Sequence, residues 1–127
     1  MQAAHKILVC DDDELLMELL QFRLEAKGFD VVVARDGREA LQLVETALPD
    51  AIVLDGMMPR IDGFEVLRRL RESAATQSIP VIMLTARKGE RDIVEALHLG
   101  ASDYLSKPFS PDELTARLMR LLSNTGA

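Results

Sequence analysis

Ile7-Leu8-Val9-Cys10-Asp11-Asp12-Asp13 runs from four apolar residues straight into three acids. The apolar part lacks the in–out alternation of a strand with one wet face. It reads as a strand covered on both sides, as in a parallel sheet. Val31-Val32-Val33-Ala34, Ala51-Ile52-Val53-Leu54 and Val81-Ile82-Met83-Leu84 repeat the pattern, and Tyr104-Leu105 is a weaker fifth run. Between the runs the apolar period lengthens to that of a helix. Leu15, Leu16, Leu19, Leu20, Phe22 and Leu24 form the first stripe and read as core, with Gly28 placed to stop the helix. Ala40, Leu41, Val44, Ala47 and Leu48 form the second; Asp36 caps it, Glu39 sits three later and Pro49 ends it. Phe64, Leu67 and Leu70 form the third, capped by Asp62 with Glu65 at the reciprocal position. Ile93, Ala96 and Leu97 form the fourth, stopped by Gly100. Leu114, Leu118, Leu121 and Leu122 form the fifth, opened by Ser110 as N-cap, Pro111 at N1 and Glu113 at N3.

Five strand–helix units predict an α/β fold with right-handed crossovers. The expected architecture is a doubly wound (βα)5 three-layer sandwich around a parallel five-stranded sheet of order 2-1-3-4-5, flavodoxin-like. The domain is expected over residues 5–122, with 123–127 as a tail or linker stub. At 127 residues the chain suits one domain, large enough to bury roughly two-thirds of its surface. No apolar run approaches the ~18 residues of a membrane span. The start lacks an apolar signal core, and the lone Cys10 fits a reducing compartment, so a cytoplasmic location is expected. A net charge of −6 argues against direct binding to nucleic acid or to an anionic membrane.

In an open α/β sheet, ligands bind beyond the carboxyl ends of the strands. The residues there are Asp11, Asp12 and Asp13, then Asp55, then Thr85, then Ser106 and Lys107. An Asp after a strand is commonly a helix cap, and Asp13 is assigned to that role. Asp11 and Asp12 cannot both cap the same helix. Placing them beside Asp55 crowds like charges, which a hard divalent cation such as Mg²⁺ relieves through oxygen ligands. Asp55 also suits nucleophilic attack on phosphorus. Lys107 can face the phosphoryl oxygens as a point charge, with Thr85 as a hydroxyl donor. His5, His98 and the Arg68, Arg69, Arg71 run read as solvated surface. No phosphate-binding loop of the G-x-x-x-x-G-K-[ST] or G-x-G-x-x-G kind is present.

The chain resembles a response-regulator receiver domain, in the family of the bacterial chemotaxis response regulator. The resemblance is carried by Ile7–Asp13, by Leu54-Asp55-Gly56-Met57-Met58-Pro59-Arg60-Ile61-Asp62-Gly63, by Leu84-Thr85-Ala86, and by the segment from Gly100 to Phe109 that contains Ser106-Lys107-Pro108. It implies Asp55 as phosphoacceptor. It implies Mg²⁺ or Mn²⁺ held by Asp11, Asp12, Asp55 and the Met57 carbonyl. Lys107 matches the phosphoryl-contacting lysine, followed by Pro108 through a commonly cis peptide. Thr85 and Tyr104 match the switch pair, and Ala86 the small residue that leaves phosphoryl access open. Met57 and Arg87 match the positions that tune phosphoryl lifetime. The implied partners are a sensor histidine kinase or histidine phosphotransfer protein, which the family meets on its first helix. An output domain or homodimer would use the helix 4–strand 5–helix 5 face, where Asp103, Glu113 and Arg117 fit the ion-pair pattern and Ile93, His98 and Met119 depart from it. Gly56 also departs, and extra backbone freedom is expected there. Two other classes fit less well. An aspartyl-phosphate phosphatase of the haloacid-dehalogenase type needs a second Asp where Met57 stands. A phosphorylation-independent pseudo-receiver commonly lacks an acid or the lysine, and here all are present.

Overall fold

The computed structural model describes residues 4–58, 61–85 and 90–125. Five strands alternate with five helices. They are β1 Lys6–Cys10, α1 Glu14–Ala26, β2 Asp30–Ala34, α2 Gly37–Ala47, β3 Ala51–Asp55, α3 Gly63–Glu72, β4 Val81–Thr85, α4 Glu90–His98, β5 Asp103–Ser106 and α5 Pro111–Thr125. The sheet is parallel throughout, in the order β2-β1-β3-β4-β5. The doubly wound flavodoxin-like arrangement is therefore the one expected. Its switch point lies between β1 and β3, so their carboxyl ends open into one crevice.

The three central strands carry the core. Ile7, Leu8, Ile52, Leu54, Ile82 and Leu84 are all fully buried, each worth roughly 1.5–3 kcal/mol. One face of the sheet packs under α1 and α5 through Leu20, Leu24, Leu114 and Leu118. The other packs under α2, α3 and α4 through Val44, Val66, Leu67 and Ala96. Both faces are covered, which is why the strands read as unbroken apolar runs. Cys10 behaves as a small buried hydrophobe, its thiol against the Asp36 carbonyl and the Met58 sulfur.

Helix ends follow their local chemistry. Asp13, Asp36 and Asp62 accept from the N–H groups of Leu16, Glu39 and Glu65, satisfying orphan donors at the first turn. Ser110 does the same for Asp112. Glu65 does not reciprocate at Asp62; its carboxylate is taken by Arg68 and Arg69. At the end of α4, Gly100 has φ +103. The Ala101 N–H then returns to the Ala96 carbonyl and the Gly100 N–H to Leu97, the paired bonds of a left-handed helix stop. The same bonds close α1 at Gly28.

Two expectations about faces need correction. On α1 the buried residues are Met17, Leu20 and Leu24, while Leu15, Leu19 and Phe22 are exposed. The first helix is apolar on opposite sides, and only one side can meet the sheet. Leu48 and Leu97, assigned to stripes, are also exposed. The last helix, α5, continues through Thr125.

Candidate functional site

Asp55 and Thr85 are the last residues of β3 and β4, one position inside the strand ends expected for them. The ladder pairs Asp55 with Leu84 and Thr85 with Ser106. The backbone at both positions is thus fixed by the sheet itself. Asp11 follows β1, its N–H donating to the Ala34 carbonyl at 3.2 Å. Asp11 is fully buried, Asp55 is 3 % exposed and Thr85 is buried; Asp12 is exposed.

One carboxylate oxygen from each of Asp11, Asp12 and Asp55 lies within 4.8 Å of the others. Lys107 reaches into this cluster from the end of β5. Its Nζ donates to Asp11 Oδ2 at 2.7 Å and lies 3.6 Å from Asp55 Oδ2. Asp11 Oδ1 accepts from the Asp13 N–H at 3.0 Å, and Asp55 Oδ1 from the Met57 N–H at 3.2 Å. Each buried carboxylate thus has a backbone donor on one oxygen and the ammonium on the other side. That arrangement offsets a desolvation penalty of several kcal/mol per ion.

The compensation is incomplete at Asp55. Burial, then the charge of Asp11, pushes its carboxyl up to about 6, against the Met57 N–H and the Lys107 ammonium. For Lys107 burial opposes the charged form, but the hydrogen bond and charge of Asp11, then Asp55, outweigh it and raise its pKa. A hard cation fits here. The donors are all oxygen, they converge, and a positive charge would relieve the repulsion that raises Asp55.

A pH dependence follows. A carboxyl whose folded pKa lies above its unfolded value stabilises the fold below about pH 4. That contribution is lost as pH rises through about 6. Without divalent cations, Asp55→Asn is therefore expected to stabilise the protein at pH 7.5 by about 1–3 kcal/mol, at roughly 1.4 kcal/mol per tenfold change in proton affinity. Urea unfolding in a chelator should show the gain at pH 7.5 and its disappearance near pH 4. A destabilised variant at pH 7.5 would contradict the raised carboxyl.

The Gly56 peptide is tied down, contrary to the freedom expected of it. Its N–H donates to the Leu84 carbonyl at 2.7 Å, and its carbonyl accepts from Gly63 at 3.2 Å. The missing side chain leaves room for the Phe64 ring, 3.0 Å from where a Cβ would stand. Met57 is 47 % exposed, beside the cluster. The Lys107–Pro108 peptide is cis. Tyr104 is half-buried on β5, paired in register with Met83. Ala86 and Arg87 lie outside the described residues.

The site also depends on Gly63, to which the sequence alone assigns no role of its own. A Cβ there would lie 2.1 Å from the Asp55 carbonyl oxygen. The available signal was a glycine, a poor helix former, directly after an N-cap. Asp103, Glu113 and Arg117 pair within the chain: Arg117 bonds Asp103 at 2.7 Å and Glu113 at 3.4 Å.

Residues 7–119 match the response regulator receiver domain family. The alkaline phosphatase synthesis transcriptional regulatory protein PhoP of Bacillus subtilis is 51% identical over 92% of this chain and 48% of its own length. Response regulator MprA of Mycolicibacterium vanbaalenii is 48% identical over 94% of this chain and 51% of its own. The chain thus spans about half the length of the curated relatives it matches. Among solved structures, the receiver domain of Francisella response regulator 1452 superposes with a TM-score of 0.90 at 42% identity, covering 95% of this chain and 98% of that one. Fold, strand-end acids and sequence agree: the chain belongs to the receiver-domain family of two-component response regulators.

Proposed function

We propose that the chain accepts a phosphoryl group on Asp55 from a phosphohistidine of a sensor histidine kinase or histidine phosphotransfer protein. The observation that carries this is the buried Asp55 carboxylate, clustered with Asp11 and Asp12 and faced by Lys107 at 3.6 Å. An Asp55 carboxylate oxygen attacks phosphorus, the phosphorus–nitrogen bond breaks, and the electron pair leaves with the donor imidazole. Later, water attacks the phosphorus and the acyl-phosphate bond breaks, returning the carboxylate. Asp11, Asp12, Asp55 and the Met57 carbonyl would hold Mg²⁺ or Mn²⁺. When bound, the cation neutralises charge developing on the phosphoryl oxygens.

Lys107 stays charged through both steps and is free to exchange Asp11 for a phosphoryl oxygen. Thr85, at the neighbouring strand end, serves as the hydroxyl donor, with Tyr104 following it. Ala86 leaves the approach open, and Met57 and Arg87 tune hydrolysis. The exposed Leu15, Leu19 and Phe22 of α1 form the apolar contact for the phosphodonor protein. The α4–β5–α5 face carries the output, to a further domain or a second copy. The domain acts over residues 5–122, in the cytoplasm; no helix among the described residues is long and apolar enough to cross a membrane.

Incubation with phosphoramidate and Mg²⁺ is expected to add one phosphoryl group by intact mass. A chelator should prevent it. Labelling that proceeds equally without a divalent cation would refute the assignment of Asp11 and Asp12 as its ligands.

A further inference from the structure

The sequence predicts Arg71 on a solvated charged face with Arg68 and Arg69. The structure separates them. Arg68 and Arg69 pair with Glu65 on the exposed surface. Arg71 turns inward from the last turn of α3 and meets no carboxylate among the described residues. Its Nε donates to the Gly100 carbonyl at 2.9 Å, and its Nη1 to the carbonyls of Gln77 at 3.1 Å and Thr76 at 3.4 Å. Burial lowers its pKa, though a guanidinium stays charged throughout the working range.

Gly100 is shaped to this contact. A Cβ there would stand 3.0–3.2 Å from Arg71 Nε, Cγ and Cδ, so the arginine stem lies directly over the glycine. The anchor behind it is firm. Thr76 is buried, with its hydroxyl on the Leu70 carbonyl at 2.6 Å. Ser102, two residues past Gly100, exchanges two hydrogen bonds with Val81 at the start of β4.

The helix that Gly100 terminates is lightly held. α4 packs chiefly on β5. Among its described side chains Ala96 is buried and Ile93 partly so, whereas Val94, Glu95, Leu97 and His98 are exposed. An element with few buried contacts opens more readily than the sheet it lies on. Its carboxyl end is nevertheless tied, through the Gly100 carbonyl, to an arginine whose other two carbonyl partners lie in the α3–β4 loop.

We infer that Arg71 is a latch that fixes the carboxyl end of α4, making the Gly100 turn the pivot about which α4 moves when the site responds to phosphorylation. The latch stands on the geometry alone; the pivot rests on the receiver reading. Arg71 acts through Gly100 and is a positioning residue, remote from the phosphoryl chemistry.

Amide hydrogen exchange on the full chain tests both parts. In unphosphorylated protein, Arg71→Met keeps the stem and removes the donors. It is expected to speed exchange across residues 96–102 by roughly tenfold or more, with β1 and β3 much less affected. Arg71→Lys keeps charge without the planar fork and should fall short of wild-type protection. Unchanged protection of 96–102 in Arg71→Met, or a uniform rise over the whole sheet, would overturn the latch. Adding beryllofluoride with Mg²⁺ should alter exchange in wild-type α4 before residue 96 and leave 96–102 protected. In Arg71→Met the change should spread through 96–102. A wild-type change that itself spreads through 96–102 overturns the pivot alone. A wild-type protein indifferent to beryllofluoride overturns the pivot together with the receiver reading.

Discussion

Asp55→Asn is expected to reduce phosphoryl incorporation from phosphoramidate and Mg²⁺ by more than ~100-fold, since an amide is a far weaker nucleophile than a carboxylate. The substitution is close to isosteric. An asparagine oxygen can still accept the Met57 N–H, and Lys107 retains its 2.7 Å bond to Asp11. The fold should therefore survive, and without metal it should gain stability, because the crowded negative charge is gone. Loss of labelling in a variant that unfolds at higher urea cannot be ascribed to misfolding. Intact mass and peptide mapping read the result. Undiminished labelling in Asp55→Asn would end the assignment. Transfer of the label to Asp12, the exposed neighbour, would show that proximity of an acid suffices and that burial of Asp55 does not matter.

Gly63→Ala is expected to destabilise the protein by about 3–5 kcal/mol, in the range of severe overpacking. The added methyl would lie 2.1 Å from the Asp55 carbonyl oxygen, 2.8 Å from its carbonyl carbon and 2.8 Å from Gly56 Cα. All three are backbone atoms. None can swing aside as a side chain could, because β3 sits between β1 and β4 and Gly56 is bonded to Leu84. Relief requires the start of α3 to back away, which breaks the Gly63 to Gly56 hydrogen bond. Phosphorylation should slow as well, since the displaced loop carries Met57. Gly28→Ala is the natural comparison. A Cβ there meets no atom within 4 Å, but φ is +93. Left-handed backbone alone costs roughly 1–2 kcal/mol. Equilibrium urea unfolding separates the two. A loss at Gly63 no larger than that at Gly28 would mean that α3 shifts easily.

The apo-state carboxyl effect and the Asn variant bear on each other. If burial and Asp11 raise Asp55, the same carboxyl that limits neutral-pH stability is the one that reacts. Metal removal should then weaken the fold near pH 7.5 more than at pH 4, where Asp55 is protonated. A cation stabilises only the state that binds it, by an amount that grows with the logarithm of its affinity.

Element order and strand type were readable from Ile7–Cys10 and its four counterparts, because hydrophobic period is a local property and covered strands leave no alternation. The caps Asp13, Asp36 and Asp62 were readable for the same reason: a side chain and an N–H three residues on belong to one turn. The acids and the lysine were readable as strand-end residues, since topology alone brings strand ends together. Other features depended on segments far apart in the chain. The Lys107 bond to Asp11 spans 96 residues and the Arg71 bond to Gly100 spans 29; no local pattern encodes either. Leu15 and Leu20 are the same residue type on one helix, and only packing against the sheet decides that Leu20 is buried and Leu15 is 79 % exposed. Arg71 differs from Arg68 by less than one turn, yet carbonyls delivered by two other loops draw it inward. The sequence by itself determined which groups gather at the rim. The tertiary structure decided their distances and burial, and hence the charge state of Asp55, because desolvation and Coulomb energy depend on separation in space.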